Sequence, residues 1–193
     1  QARLENLETS ARLFARRASA TYLVLTLGGI AALWLAGLPL FDALTHAFAA
    51  ISTGGFSTHD ASLAAFPGWA PRLVVIGLSL AGAVALPLYF LAWRHGWRLL
   101  ATNVELHALL VLCGLSSALL ALLLYHARGA WLADFVGHAV LMATSAQTTT
   151  GFASLPVGEL DATAKLALIL SMLVGGSVGS TAGGFKLWRL LLL

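Results

Sequence analysis

The chain predicts an all-α integral membrane fold of repeated helix–loop–helix units, the last span broken by a glycine-rich loop. Three observations carry this. Hydrophobic residues make up 59% of the 193 residues and charged residues 10%, at a mean hydropathy of +0.87, far more apolar than a soluble domain of this length requires. Four stretches are long enough to span a bilayer: Ala20 to Leu38, Leu73 to Ala92, Leu106 to Tyr125, and Ala164 to a point beyond Gly175. Between them, a short segment beginning Asp-x-x-x-His and ending in a Thr/Gly turn and Gly-Phe occurs twice.

The elements follow in order. The amino-terminal segment is charged, long and amphipathic, with no small-residue cleavage pattern, which argues against a removed signal peptide. Each of the first three spans offers about 20 residues free of Asp, Glu, Lys and Arg, the length a helix needs to cross a ~30 Å hydrocarbon core. With the amino terminus in the cytoplasm, eight of the eleven basic residues share that side (Arg3, Arg12, Arg16, Arg17, Arg94, Arg98, Lys186, Arg189) and three lie opposite (Arg72, Arg128, Lys165). This is a positive-inside bias. Asp42, Asp60, Asp134, Glu159 and Asp161 then fall on the outer side, either gathering cations at a mouth or standing as solvated loop charges. The basic excess is split among three membrane-flanking patches, which excludes a nucleic-acid face. Cys113 is the sole cysteine, so no intrachain disulfide exists.

The first copy of the motif runs from Asp42 to Phe56 and the second from Asp134 to Phe152. Aligning Asp42 and His46 with Asp134 and His138 requires an offset of 92, whereas aligning Gly55-Phe56 with Gly151-Phe152 requires 96, so the second copy is four residues longer. Each copy has a span before it and another after it, and the chain divides into residues 1–105 and 106–193. Polar stretches containing Pro67, Pro71 and Pro156 as breakers follow the two turns.

Asp42 to Ser52 is eleven residues, about 16 Å of helix at 1.5 Å per residue, or half of a ~30 Å core. The chain must turn back. Irregular backbone at that depth is tolerated where it is buried in protein or lines a water-filled cavity. Glycine accepts backbone angles that let successive carbonyls share a direction, and the carboxyl end of the short helix is partially negative. Carbonyl oxygens and a negative dipole end together favour a dehydrated monovalent cation. An interfacial amphipathic helix with a glycine stop is the alternative for either copy alone, and the pairing of two copies argues against it.

The ten residues from Gly175 to Gly184 hold five glycines, two serines and one threonine. At ~1 kcal/mol per glycine relative to alanine, continuous helix here is penalised by ~5 kcal/mol, and the span is expected to break. Flexible polar backbone across a conduction path is a natural gate. Close helix packing through Gly175 and Gly179 explains less, because the run is small on every face.

Two enzymatic patterns fail. Gly175 to Gly179 fits G-x-S-x-G around Ser177, but no strand precedes it and no His or acid lies nearby in sequence. Gly179 to Lys186 lacks the hydroxyl residue that follows the lysine of a phosphate-binding loop. Histidines 46, 59, 95, 107, 126 and 138 show no metal-ligand spacing. His46 and His138, at matching positions in the two short helices, are expected to make structural hydrogen bonds to a neighbouring helix, with proton coupling as the alternative.

Phe48-Ala-Ala-Ile-Ser-Thr-Gly-Gly-Phe-Ser-Thr-His-Asp-Ala-Ser62, Thr148-Thr-Thr-Gly-Phe152 and Gly175-Gly-Ser-Val-Gly-Ser-Thr-Ala-Gly-Gly-Phe-Lys186 together resemble the Trk/Ktr/HKT superfamily of potassium transporters, most closely the bacterial Trk-type membrane subunit. The resemblance implies potassium-channel-like architecture in which four helix–pore loop–helix repeats surround one pore. It places Gly55 and Gly151 at the central glycines of two selectivity loops. Thr53, Gly54, Thr149 and Thr150 then supply backbone oxygens to K⁺, the transported ion, with no organic cofactor. It further implies that Gly175, Gly176, Ser177, Gly179, Ser180, Thr181, Gly183 and Gly184 belong to an intramembrane gating loop. A homodimer in the bacterial inner membrane and a cytoplasmic nucleotide-binding regulatory subunit are implied as partners. The chain departs from this pattern in holding two repeats of four, matching the second and third, and it lacks a basic residue of the fourth repeat. It is therefore expected to be a fragment of a longer transporter. The alternatives are an intramembrane serine hydrolase using Ser177 and a small two-repeat cation channel that dimerises.

Overall fold

A computed structural model describes the backbone of residues 2–66, 68–128 and 132–192, with the side chains of those residues apart from 2–11, 128 and 132–134. Pro67 lies outside the described residues, as do the side chains of Arg3, Arg128 and Asp134. The helices are α1 (Ala2–Leu35), α2 (Leu40–Ile51), α3 (Ala70–Ala83), α4 (Leu86–His95), α5 (Arg98–Ala101), α6 (Val104–Arg128), α7 (Leu132–Gln147), α8 (Ala162–Leu173) and α9 (Leu187–Leu191). Single 3₁₀ turns occupy Ser62–Ala65 and Val157–Glu159. Among the described residues there is no strand, only one isolated bridge between Val174 and Phe185.

Among the described residues two helices contain apolar stretches long enough to cross a membrane, Arg12–Leu35 within α1 and Val104–Ala127 within α6. Leu23, Val24 and Leu27 on the first, and Val111 and Leu115 on the second, are more than half exposed. Such rows belong against lipid rather than water. Helix α1 ends three residues earlier than the span read from sequence, because Gly37 takes a φ of 97°. The amides of Gly37 and Leu38 then bond back to Trp34 and Leu33. This is the usual glycine stop, and Pro39 begins α2 directly behind it.

The continuous span expected from Leu73 to Ala92 does not form. It is broken between α3 and α4, which meet at 89°. Pro87 sits in the first turn of α4, where it needs no amide partner, and it cannot continue the preceding helix. Val84 and Ala85 are extended, which frees the last carbonyls of α3. Those carbonyls are taken up by the glycine-rich run. Ser177 N donates to Ala83 O at 2.9 Å and Thr181 N to Gly82 O at 3.1 Å, while Leu86 N donates to Gly179 O at 3.2 Å. Two breaks far apart in sequence thus satisfy each other's backbone, which removes the cost of an unpaired buried amide or carbonyl.

The break expected in the last span is present. Helix α8 ends at Leu173, residues 174–186 are irregular, and helix resumes only at Leu187. Pro71 does not break a helix; it lies in the first turn of α3 and helps to start it. The larger core gathers Leu33, Ala43, Ala47, Leu63, Leu124 and Phe152 around the inner faces of α2 and α7. A smaller core of Ala83, Val84, Leu109, Ala182 and Leu187 closes over the two breaks.

Candidate ion pathway

Helices α2 and α7 end in the same turn. Thr53 N bonds to Ala50 O at 3.1 Å, and the amides of Gly54 and Gly55 both bond to Ala49 O, at 2.8 and 3.3 Å. Ninety-six residues later, Thr149 N bonds to Ala146 O at 2.8 Å, and the amides of Thr150 and Gly151 both bond to Ser145 O, at 2.9 and 3.2 Å. The dihedrals repeat as well. Thr53 and Thr149 have φ of 53° and 59°, Gly55 and Gly151 of 68° and 92°. Left-handed backbone is unfavourable for a β-branched residue, so the surrounding bonds must hold both threonines there.

The consequence is chemical. Every amide from residue 53 to 55 and from 149 to 151 points back into a helix end. Among the described residues no hydrogen bond uses the carbonyls of Thr53, Gly54, Gly55, Thr149, Thr150 or Gly151. A row of unpaired carbonyls whose amides are satisfied elsewhere can ligate a cation and cannot bind an anion. The two turns also touch each other: a Cβ on Gly55 would lie 1.9 Å from Thr150 O. The structure therefore brings Thr53, Gly54, Gly55, Thr149, Thr150 and Gly151 to one place.

His46 is fully buried behind the first turn. Its Nδ1 lies 2.8 Å from Asp42 O and its Nε2 3.0 Å from Ser57 Oγ. A carbonyl only accepts, so Nδ1 carries the proton and Nε2 accepts from the Ser57 hydroxyl. His138 Nδ1 pairs with Ser154 Oγ at 2.9 Å. Both histidines thus bond to the segment leaving their own turn, which climbs back alongside the helix it has just left. For His46 the partners are Ser57 and its own helix rather than the neighbouring helix expected. Phe152 stacks on His46 at 5.8 Å, joining the second turn to the first. Its counterpart Phe56 is 81% exposed, whereas Phe152 is 2% exposed. Beside the first turn, Asp42 accepts from Thr58 Oγ1 at 2.6 Å and lies 3.8 Å from His59 Nε2. Asp60, Glu159 and Asp161 are exposed.

The glycine-rich run is seated against both turns. Thr181 Oγ1 lies 2.7 Å from Ile51 O, the last carbonyl of α2, and 2.9 Å from Gly82 O. Gly183 N donates to Thr149 Oγ1 at 2.7 Å, and Gln147 Nε2 donates to Val174 O. Inside the run a Cβ on Gly175 would lie 1.7 Å from Gly183 O, and one on Gly176 2.4 Å from Ala83 O. Its glycines are there for close backbone approach as much as for breaking the helix. Lys186 Nζ donates to Ala182 O, which closes the loop on itself. Ser177 is 1% exposed, and its Oγ has no hydrogen-bond partner among the described residues.

Sequence reasoning missed Gln147, Gly82 and the break at Pro87. Gly82 and Pro87 within one apolar stretch were the available signal for the break. Nothing local marks Gln147, whose acceptor lies 27 residues away.

An apolar helical chain whose two short helices end in matching turns, with turn carbonyls unpaired among the described residues, defines a class of helical membrane protein, and comparison with known proteins names the family. Residues 13–193 match the family described as TrkH, cation transport protein, and the chain belongs to that family. It is 34% identical over 180 residues to the Trk system potassium uptake protein TrkH of Vibrio parahaemolyticus, covering 89% of this chain and 36% of that protein. Over 179 residues it is 32% identical to the Trk system potassium uptake protein TrkG of Escherichia coli K12, covering 90% of this chain and 36% of the relative. The crystal structure of the potassium transporter TrkH from Vibrio parahaemolyticus superposes with a TM-score of 0.82 at 33% identity, over 96% of this chain and 40% of that one. The chain thus spans a little over a third of the length of these relatives.

Proposed function

We propose that this chain contributes two of the four units lining a K⁺ uptake pathway in the inner membrane of a bacterium, with the turns opening to the outside. The units are residues 1–105 and 106–193. Carrying this reading is the pair of abutting turns, in which the amides of residues 53–55 and 149–151 are satisfied and six carbonyls have no partner among the described residues. Thr53, Gly54, Gly55, Thr149, Thr150 and Gly151 form half of a selectivity filter, and K⁺ sheds water against the oxygens of Thr53, Gly54, Thr149 and Thr150. The run from Gly175 to Gly184, bonded to both turns, is the gate. Half a ring cannot replace an ion's hydration shell, so the remaining two units belong to the same transporter. Exposed Phe56 supports this: Phe152 finds His46 of the unit before it, and Phe56 has the same need of a preceding unit. The distribution of basic residues supports a cytoplasmic amino terminus. A homodimer and a cytoplasmic nucleotide-binding regulatory subunit complete the assembly that the resemblance implies.

The test is uptake of Rb⁺, as a K⁺ surrogate, by the full-length protein in proteoliposomes and in cells lacking their own K⁺ uptake. Uptake driven by an inward gradient and blocked by excess K⁺ is the expected result; none in either setting would sink the reading. Ser177→Ala separates transport from hydrolysis. The buried Oγ of Ser177 has no partner among the described residues, so none of them is placed to activate it as a base. Removing an unsatisfied buried hydroxyl is close to neutral or slightly stabilising. Rb⁺ uptake and the melting temperature of Ser177→Ala are therefore expected to match or exceed those of the parent protein.

A further inference from the structure

Beyond ion passage, we propose that the groove between α1 and α4 is a binding site for an anionic phospholipid, its phosphate on Arg17 and Arg94 and an acyl chain in the groove. Depth is the first argument. Leu35 lies eighteen residues beyond Arg17 on α1, about 27 Å at 1.5 Å per residue, close to the ~30 Å of a hydrocarbon core. With Leu35 at one boundary, Arg17 sits at the other. Helix α4 turns 89° away from α3 and packs across α1 at this level.

Chemistry is the second argument. The Arg17 guanidinium lies 4.6 Å from the centroid of the Phe90 ring and that of Arg94 5.8 Å from the same ring, so one aromatic ring gathers two cations. Among the described residues neither arginine pairs with a carboxylate. Directly beside them opens a groove of about 370 Å³, walled by Val24, Leu25, Tyr89, Trp93 and Trp97 with almost no polar surface. Trp93 is 75% and Trp97 65% exposed. Tryptophan at this depth is the usual residue of the headgroup boundary. Two cations with no carboxylate partner among the described residues, at the rim of an apolar slot, complement a ligand with an anionic head and a hydrocarbon tail. A free phosphate has no use for the slot, and a zwitterionic lipid brings an ammonium toward the arginines. Basic pockets between membrane helices bind anionic headgroups in this way.

The test uses the full-length protein in detergent, titrated with brominated phosphatidylglycerol or brominated phosphatidylcholine. Quenching of Trp93 and Trp97 is isolated by difference from a Trp93→Phe/Trp97→Phe variant. Phosphatidylglycerol is expected to quench them at concentrations on the order of tenfold lower. That preference should vanish in Arg17→Gln/Arg94→Gln and survive in part in Arg17→Lys/Arg94→Lys, which keeps the charge. Equal quenching by both lipids, or a preference that outlasts the glutamine pair, overturns the site. So does a preference lost equally in the lysine pair. Quenching by neither lipid means that protein covers the groove, and also overturns it.

Discussion

Gly55→Ala in the full-length protein is expected to cut Rb⁺ uptake by at least tenfold and to erode discrimination against Na⁺. The added Cβ would stand 1.9 Å from Thr150 O and 2.8 Å from Thr150 C, both backbone atoms with no side-chain rotation to relieve them. A φ of 68° adds its own penalty, ~1–2 kcal/mol for a residue with a Cβ. Since ~1.4 kcal/mol is a factor of ten in a population, the angular cost alone nearly accounts for the minimum loss, before the clash moves an oxygen that the proposed filter assigns to the ion. Gly151 sharpens the test. Its φ of 92° is equally foreign to alanine, yet a Cβ there meets nothing within 4 Å among the described residues. If a further unit closes the ring, its carbonyl stands against Gly151 as Thr150 O stands against Gly55. Gly151→Ala is then as damaging as Gly55→Ala, which is the expected result. A Gly151 variant with near-normal uptake and selectivity would argue against a closed ring of four.

Local features of the chain were legible from sequence. The helices α2 and α7 and their turns announce themselves by composition: a short apolar segment, then Thr and Gly, then Gly-Phe. The break at residues 174–186 follows from five glycines in ten residues, a penalty no packing on one face repays. The break at Val84 and Ala85 was harder, since Leu73 to Ala92 contains no charge and only one proline, and a proline is tolerated in many membrane helices. Long-range pairings were not legible at all. Thr181 and Ile51 are 130 residues apart, and neither residue type announces the other. The histidines show the same limit. A structural hydrogen bond could be expected from their place in the motif, but Ser57 and Ser154 become partners only once the chain has folded back beside its own helix.

Thr181→Val is expected to raise Rb⁺ uptake under non-activating conditions by about tenfold, while Thr181→Ser behaves like the parent. Valine keeps the shape of threonine and loses the hydroxyl. Gly82 O retains the Thr181 amide as a donor, whereas among the described residues Ile51 O has only the hydroxyl. Leaving a buried carbonyl unpaired costs ~1–3 kcal/mol. On the gating proposal this cost falls on the state in which the glycine-rich run is seated against α2, and not on the state in which it has moved away. A differential of ~1.4 kcal/mol shifts such an equilibrium tenfold toward release. Serine restores the donor, so its normal behaviour would tie the effect to the hydrogen bond rather than to the methyl group. A merely structural role predicts the opposite signature, with lower melting temperature and lower uptake together. Gly82→Ala attacks the same seat from the other side, because its Cβ would lie 2.3 Å from Ile51 O and 3.0 Å from Thr181 Oγ1. Elevated basal uptake in both variants would locate the latch at the meeting of α2, the end of α3 and Thr181. Reduced uptake in Thr181→Val with normal uptake in Thr181→Ser would instead make the hydroxyl a requirement for conduction and sink the latch.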